Sequence, residues 1–99
     1  METRRYPNRL KKFRRLFCFS QKEVARLVGL ADASLLSRWE KGISLPTLVY
    51  LFRLARIYKT MPTEMYTDLW QLVSNEMTVK ENNLLTHAGP LITNHNPHL

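Results

Sequence analysis

Residues 20–42, SQKEVARLVGLADASLLSRWEKG, hold the signals for two short helices joined by a turn. Ser20 and Glu23 have the spacing of a capping box, in which each side chain binds the backbone of the other residue, and Gly29 is a typical helix stop. Asp32 is a candidate N-cap for the second helix, which ends at the next glycine. Only three or four residues would then separate the helices, and this spacing is typical of a helix-turn-helix unit.

The second of these helices carries an indole among polar residues. Neighbouring residues on a helix point about 100° apart, so Trp39 can face inward while Ser37, Arg38 and Lys41 face outward. We therefore predict that Trp39 packs in the core and does not stack on a ligand. The outer side of the helix is then available to contact a ligand.

Helical patterns flank this unit on both sides. Before it, Leu10, Phe13 and Phe17 lie three and four residues apart behind Asn8, and this spacing predicts a first helix with Asn8 as its N-cap. After it, the segment 46–58, PTLVYLFRLARIY, is apolar nearly all round, which predicts that the fourth helix is the central and most buried one.

A fifth helix is predicted from Pro62, which suits the first helical position, through PTEMYTDLWQLVSNEM at 62–77. No stretch alternates as a strand would, so the predicted fold class is all-α, with five helices. The last residues, THAGPLITNHNPHL at 86–99, have two prolines, no charge and no period, which is typical of a flexible tail. The predicted organisation is a basic N-terminal arm at 1–8, a domain at 9–80 and a flexible C-terminal tail at 81–99.

The net charge is confined to one part of the chain. Residues 1–41 carry the whole surplus of +7, whereas residues 42–99 hold four acidic and four basic residues. Such an asymmetry points to a polyanionic partner, which is either nucleic acid or an acidic membrane surface. A basic face that only aids solubility is the alternative.

Length and composition exclude several classes of protein. A chain of 99 residues makes one domain with a modest core and little room for a catalytic cleft. No apolar run approaches the roughly 18 residues of a membrane span, and no signal-peptide pattern follows the basic start. One cysteine, Cys18, suits a reducing compartment, so we expect a cytoplasmic protein.

Catalytic and metal sites have no suitable candidates in the sequence. His87, His95 and His98 all lie in the predicted tail, where a site lacks a rigid scaffold. No cysteine or carboxylate cluster accompanies them, and the chain has no phosphate-binding loop or zinc spacing. We therefore expect no enzymatic activity, no metal and no cofactor.

The segment 20–46 resembles the helix-turn-helix of the Cro and phage-repressor-type family, also called the XRE type. The matching residues within it are Ser20, Gln21, Ala25, Gly29, Leu36, Trp39, Glu40, Gly42 and Pro46. The family's pattern for the fourth helix continues at Leu51, Leu54, Ala55 and Tyr58. The resemblance covers roughly residues 9–66 and implies a five-helix, phage-repressor-like domain that binds duplex DNA, with an extended fifth helix.

The resemblance assigns one group of residues to hold the third helix in place. Ala25 is small where two helices cross, and Gly29 takes the turn with positive φ. Arg14 and Glu40 match a pair that commonly forms a salt bridge between the first helix and the end of the third. The supporting residues are Arg14, Ala25, Gly29, Leu36, Trp39 and Glu40.

By the same resemblance, the third helix, at about 32–41, enters the major groove. The residues expected to read base edges are Ala33, Ser34, Ser37 and Arg38. Those expected to hold phosphates are Gln21, Lys41, Ser44 and Thr47. Arg38 can bind guanine bidentately, and the alternative for it is a phosphate contact or a solvated side chain. The N-terminal arm would lie near the DNA backbone or minor groove, or only in solvent.

Three features depart from the family's pattern. Cys18 stands where glycine is usual, at a turn between the first two helices that needs positive φ. The segment 29–32, GLAD, holds one extra residue, which lengthens the turn or shifts the residues that lead the third helix. Leu35 replaces a usual polar residue, and it could meet a thymine methyl or join a rearranged core.

The predicted fifth helix has more apolar residues than one core consumes. The surface that would pair two copies consists of Tyr66, Leu69, Trp70, Val73 and Met77. A homodimer would place two recognition helices about 34 Å apart, which is one turn of DNA. Alternatively, Trp70 completes the core, or the fifth helix binds a protein partner in an antitoxin-like or accessory module.

The function predicted from these features is that of a transcriptional regulator that binds specific double-stranded DNA, as a repressor at a two-fold operator. The main alternative is the protein-binding module just described. A membrane-surface peptide is a further rival, because the apolar residues Phe13, Leu16, Phe17 and Phe19 lie among basic ones. Those residues are needed for the core, however, and we expect no membrane partner.

Overall fold

The computed structural model describes residues 5–88, which form six α-helices and no strand. The predicted all-α class is therefore confirmed, with six helices in place of five. The helices are α1 (Leu10–Leu16), α2 (Gln21–Val28), α3 (Ser34–Glu40), α4 (Leu48–Ile57), α5 (Pro62–Met65) and α6 (Thr67–Ala88). None of these six is both long and apolar enough to cross a membrane.

One hydrophobic core joins α1 to α5. Its largest fully buried side chain is that of Trp39 in α3, with only 1% of the residue exposed, as predicted from the sequence. The buried members of the core are Leu10, Val24, Val28, Leu36, Trp39, Leu54, Tyr58, Met65 and Tyr66. Because α3 contributes two of the large side chains, the core determines how this helix is oriented.

The four helices α1 to α4 end in the same way. A residue with positive φ follows each helix, and two backbone N–H groups at that point bond to carbonyls of the last turn, which is a Schellman motif. After α1, the N–H of Cys18 donates to the carbonyl of Arg15 at 3.0 Å, and that of Phe19 donates to the carbonyl of Arg14 at 3.1 Å. The residues with positive φ are Cys18 (59°), Gly29 (89°), Gly42 (74°) and Lys59 (51°). Cys18 thus adopts the left-handed turn that is usual for glycine.

Replacing Cys18 by glycine is expected to raise the free energy of unfolding by about 1 kcal/mol. A side chain in the left-handed region costs roughly 1–2 kcal/mol, and the greater entropy of glycine in the unfolded chain offsets part of the gain. Cys18 is exposed, so its removal sacrifices little packing. Urea unfolding of Cys18→Gly beside Cys18→Ala would measure the effect. An equal increase in the free energy of unfolding in both variants would show that loss of the thiol, and not relief of the backbone conformation, causes the stabilisation.

The predicted fifth helix is divided into two at Tyr66. Tyr66 has φ −123° and ψ 52°, outside the helical range, and it separates the short α5 from the long α6. At this break the carbonyl of Met65 accepts a hydrogen bond from the N–H of Arg9 at 2.8 Å, so it is directed towards the start of α1. Helix α6 continues to Ala88, beyond the predicted domain boundary at 80. The rest of the predicted tail, with His95 and His98, lies outside the described residues, as do residues 1–4.

The prediction that the fourth helix is the most buried one is wrong. Within α4 only Leu54 is fully buried, and the side chains of Leu48, Val49 and Phe52 are mostly exposed. Helices α2 and α5 pack on one side of α4 and leave its other side in solvent. An apolar sequence pattern shows which residues favour burial, but it does not show whether enough neighbouring structure exists to cover them.

Candidate nucleic-acid interface

Helix α3 has one buried and one exposed side. Its buried residues are Leu36, Trp39 and Glu40. Of the residues expected to read bases, Ser34 and Arg38 are exposed, and Ala33 and Ser37 are half-buried. The helical spacing of about 100° per residue places Ser34, Arg38 and Lys41 opposite the buried side. The predicted reading residues therefore lie on, or at the edges of, the solvent side of an anchored helix.

The connection between α2 and α3 comprises five residues, 29–33, where three or four were predicted. Helix α3 begins at Ser34, whose N–H donates to Oδ1 of Asp32 at 2.8 Å. The N-cap is Ala33, one residue after the predicted Asp32, and no side chain makes a capping bond there. The hydrogen bond from Ser34 lowers the pKa of Asp32 below its ordinary value. Leu35 is exposed on the outer side, so it does not join a rearranged core.

Helix α2 begins with the predicted capping box. The N–H of Glu23 donates to Oγ of Ser20 at 3.0 Å, and the N–H of Ser20 donates to Oε1 of Glu23 at 2.8 Å. The hydrogen bonds from Ser20 lower the pKa of Glu23 below its ordinary value. The start of α2 is therefore stabilised by an ionised carboxylate.

Acid is expected to remove this stabilisation. Because the pKa of Glu23 is lower in the folded protein, the unfolded chain binds the proton more tightly. The contribution is complete above the unfolded pKa of about 4.3 and is lost as the pH falls through the folded value. Urea unfolding of the native protein and of Glu23→Gln, between about pH 6 and pH 3, should show a stability difference that shrinks with acid. A difference independent of pH would contradict the assignment.

The carboxylate of Glu40 accepts three hydrogen bonds at the buried end of α3. Arg14 Nε donates to Oε2 at 2.7 Å and Arg14 Nη2 donates to Oε1 at 3.2 Å, which is the salt bridge expected from the family resemblance. Gln21 Nε2 donates to Oε1 at 2.9 Å. Arg14 Nη1 donates to the carbonyl of Phe19 at 2.9 Å. One carboxylate therefore joins α1, α2 and α3, and its hydrogen bonds raise the pKa of the Arg14 guanidinium.

Gln21 has a structural contact in addition to the role predicted for it. The family resemblance implies that its side chain binds a DNA phosphate, whereas in the structure the amide donates to Glu40. A glutamine amide has two N–H groups, so this bond leaves one donor. Gln21 is also the first residue of α2, where backbone N–H groups and the helix dipole favour an anion.

Asn8 connects the start of α1 to the end of α3. Its Oδ1 accepts from the N–H of Leu10 at 3.0 Å, but the N-cap of α1 is Arg9, one residue after the predicted Asn8. Its Nδ2 donates to the carbonyl of Trp39 at 2.8 Å and to that of Tyr6 at 2.9 Å. The contact with Trp39 was missed by the sequence analysis, because its two partners are 31 residues apart and no local pattern joins them.

The segment 5–8, predicted as part of an arm, packs against the end of α3. The N–H groups of Arg5 and Tyr6 both donate to the carbonyl of Gly42 at 3.0 Å. The last carbonyls of a helix have no hydrogen-bond partner within the helix. Residues 5–8 donate to two carbonyls in this region, that of Trp39 in the last turn of α3 and that of Gly42 just after the helix. Arg5 is thereby held beside the C-terminal end of α3.

Helix α4 holds the turn between α2 and α3. Arg53 Nη1 donates to the carbonyl of Val28 at 2.9 Å, and the guanidinium lies 5.3 Å from the ring centre of Tyr50. The ring of Tyr50 is in turn 5.7 Å from that of Trp39. Tyr50 and Arg53 were also missed by the sequence analysis. A tyrosine and an arginine three residues apart on a helix are the only local signal for them.

The other residues expected to hold phosphates differ in their placement. Lys41 and Thr47 are exposed, and the Thr47 side chain makes no capping bond at the start of α4. The hydroxyl of Ser44 is buried and has no hydrogen-bond partner among residues 5–88, so it does not face the solvent from which a phosphate would approach. Lys41 and Thr47 therefore remain the better placed of the three.

Comparison with protein families agrees with this geometry. The helix-turn-helix family model HTH_3, which represents the Cro/C1 type, matches residues 10–64. No curated protein and no solved structure matches the chain significantly. The family match runs from the start of α1 into α5 and covers more than half of the 99 residues. This chain therefore belongs to the Cro and phage-repressor-type family of helix-turn-helix DNA-binding regulators.

Proposed function

We propose that this DNA-binding regulator is a sequence-specific repressor that occupies a two-fold operator as a homodimer. The observation that carries the proposal is the two-sided nature of α3. Trp39 and Glu40 anchor one side in the core and in the Arg14 salt bridge, and the other side exposes Ser34 and Arg38. A helix held in this way can enter the major groove with side chains of defined position.

Arg38 is assigned the largest part in base reading. It is exposed, and its guanidinium can donate two hydrogen bonds to the O6 and N7 atoms of guanine. Ser34 can donate or accept at a base edge, and Leu35 beside it can contact a thymine methyl. Ala33 and Ser37, which are half-buried, would contact bases at the edges of the same surface.

Phosphate binding is assigned to residues on both sides of α3. Gln21 opens α2, Lys41 follows α3 and Thr47 precedes α4, so the DNA backbone would be held at the ends of these helices. The basic segment beside Gly42 adds positive charge to the same region. Binding should therefore weaken steeply as the salt concentration rises.

Dimerisation is assigned to the start of α6. Trp70 and Val73 are exposed there and line an apolar groove with Leu51 and Pro62. Of the predicted pairing residues, Tyr66 is instead mostly buried in the core, with 6% exposed, and Leu69 is half-buried. Two copies paired in this way would present two recognition helices to half-sites about one DNA turn apart. Occupation of such an operator would repress by blocking other proteins.

Selection of duplexes from a random pool, at stated salt, is the experiment that tests this function. The expected result is a two-fold symmetric sequence with half-sites one turn apart. Uniform affinity for all duplexes, or no binding at moderate ionic strength, would contradict the proposal.

Replacing Arg38 by alanine is expected to weaken binding to the selected operator by about 1–3 kcal/mol and to relax preference at one base position. Competition with duplexes substituted at each position would measure this. Arg15→Ala, which removes an exposed arginine from α1, is the matched control and should leave the base preference unchanged. If Arg38→Ala weakened binding to every sequence equally, Arg38 would be a phosphate contact.

A further inference from the structure

The two ends of α3 are held by different kinds of contact. At the C-terminal end, the carboxylate of Glu40 accepts hydrogen bonds from side chains of α1 and α2. At the N-terminal end, the N–H of Ser34 donates to Asp32, which belongs to the connecting segment 29–33 itself. The position of Ser34 therefore depends on what holds this connection in place.

Two side chains of α4 reach the start of the connection. Arg53 Nη1 donates to the carbonyl of Val28 at 2.9 Å, which is a charge-assisted bond to one of the last carbonyls of α2. The hydroxyl of Tyr50 lies 3.5 Å from the carbonyl of Gly29, at the outer limit of a hydrogen bond. The approach of Arg53 is close, because a Cβ atom added at Gly29 would lie 3.3 Å from its Nη1. Helix α4 is thus joined to the residues at which α2 ends and the connection begins.

Tyr50 connects this bond to the core. The guanidinium of Arg53 lies 5.3 Å from the centre of the Tyr50 ring, and a cation over an aromatic face is attracted to it. The other neighbour of the ring is Trp39, whose ring centre is 5.7 Å away. The position of the Arg53 side chain is therefore defined by the same indole that anchors α3.

A small tilt of α3 would displace its N-terminal end. The helix has seven residues, so its ends lie about 9 Å apart. A tilt of about 10° around the C-terminal end would move Ser34 by about 1.5 Å, whereas a binding side chain has to be held within about 0.5 Å. Burial of Leu36 and Trp39 opposes such a tilt, but apolar burial is non-directional. A directional bond that fixes the connection is needed in addition.

We propose that Tyr50 and Arg53 are positioning residues for DNA reading, which fix the start of α3 through the connection without touching the DNA. Arg38 lies in the last turn of α3, beside the anchored Glu40, so its position does not depend on them. This inference rests on the proposed function. It identifies a pair of residues on a neighbouring helix that determines base preference at one end of α3 only.

The variant Arg53→Met, made in the full chain, tests this role. Methionine keeps an unbranched apolar side chain but removes the charge and the hydrogen-bond donors. Competition with operator duplexes substituted at each position measures the base preference, and Arg38→Ala identifies the position that Arg38 reads. Arg53→Met should lower discrimination about fivefold or more at a position beside that one. Discrimination at the Arg38 position should stay native.

A direct contact between Arg53 and a DNA phosphate predicts a different result. Loss of a phosphate contact weakens binding to all sequences equally and lowers the slope of log affinity against log salt by about 1. We expect the salt dependence of Arg53→Met to stay native, and we expect Arg53→Lys, which keeps a charge and a donor, to restore most of the discrimination. Arg56→Met, at another exposed arginine of α4, is the matched control and should keep the native base preference.

Amide hydrogen exchange in the free protein tests the contact with the connection separately. The N–H of Leu30, bonded to the carbonyl of Ala25 at 2.8 Å, lies in the connection, and that of Val24, bonded to the carbonyl of Ser20 at 3.1 Å, lies near the start of α2. Because Arg53 is exposed, its loss should act locally. Arg53→Met should speed exchange at Leu30 about tenfold or more and leave Val24 unchanged. Equal acceleration at both amides would show that Arg53 only stabilises the fold, and would overturn the proposal.

Two results with DNA would also overturn it. One is a native base preference in Arg53→Met, and the other is equal weakening at every operator position. If the native protein reads its operator and Arg53→Met reads it in the same way, only this inference is wrong. If the native protein binds all duplexes alike, the proposed function fails and the role in reading fails with it, whereas the exchange at Leu30 still shows whether α4 holds the connection.

Discussion

Replacing Trp39 by alanine is expected to lower the free energy of unfolding by about 3–5 kcal/mol. The indole is the largest fully buried side chain of the core, and it contacts Tyr50 from α4. Its removal would reduce the apolar area buried in the core and leave a cavity that the short surrounding helices cannot fill by moving together. A small domain has a total stability of about 5–15 kcal/mol, so this single change removes much of it. Urea unfolding followed by far-UV circular dichroism would measure the loss.

Trp70→Ala is the matched control for this experiment. Trp70 is the other tryptophan, and it is exposed at the start of α6. At a protein concentration low enough to keep the chain monomeric, its replacement should change stability by no more than about 0.5 kcal/mol, as for other surface positions. Equal losses at the two tryptophans would contradict the assignment of Trp39 to the core and of Trp70 to the surface.

Replacing Glu40 by alanine is expected to be the second most damaging change, with a loss of about 2–3 kcal/mol. Breaking a buried ion pair costs about 3–5 kcal/mol when the remaining charge is fully buried. Here the Arg14 side chain stays 11% exposed and keeps its bond to the Phe19 carbonyl, so we expect a smaller value. Because α3 loses its connection to α1 and α2, affinity for the operator should fall as well.

A double-mutant cycle would measure this interaction directly. Arg14→Met and Glu40→Leu should each destabilise the fold, and the double variant should lose less than the sum of the two, since no unpaired charge remains. Glu64→Ala, at an exposed carboxylate of α5, is the control for removal of a glutamate. Additive losses would mean that the pair does not couple the helices.

Local signals predicted the helix-turn-helix unit well. The capping box at Ser20 and Glu23 and the left-handed turn at Gly29 each depend on residues a few positions from one another. Such interactions form wherever those residues occur together, so the pattern alone identifies them. Cys18 shows the limit of this approach, because its left-handed conformation is imposed by the adjoining helices and not by its own preference.

The two wrong predictions, for α4 and for the fifth helix, concern burial that depends on neighbours distant in the chain. The pattern of α4 is apolar nearly all round, but only one side of the helix is covered. The fifth helix was predicted to be continuous, but the helix is interrupted at Tyr66. There the ring of Tyr66 is buried, and the Met65 carbonyl accepts a hydrogen bond from the N–H of Arg9. Neither outcome has a signal within the helices themselves.

The amino-acid sequence by itself determined the helix-turn-helix unit, the capping box of α2, the family and the side of α3 that is buried, because each of these depends on local spacing. Only the tertiary structure decided how α3 is held. Asn8 reaches the carbonyl of Trp39, and Arg14 and Gln21 meet at Glu40, across 19 to 31 residues of chain. Contacts of this separation exist only when packing of the core brings the helices together, and they position the reading side chains of the recognition helix.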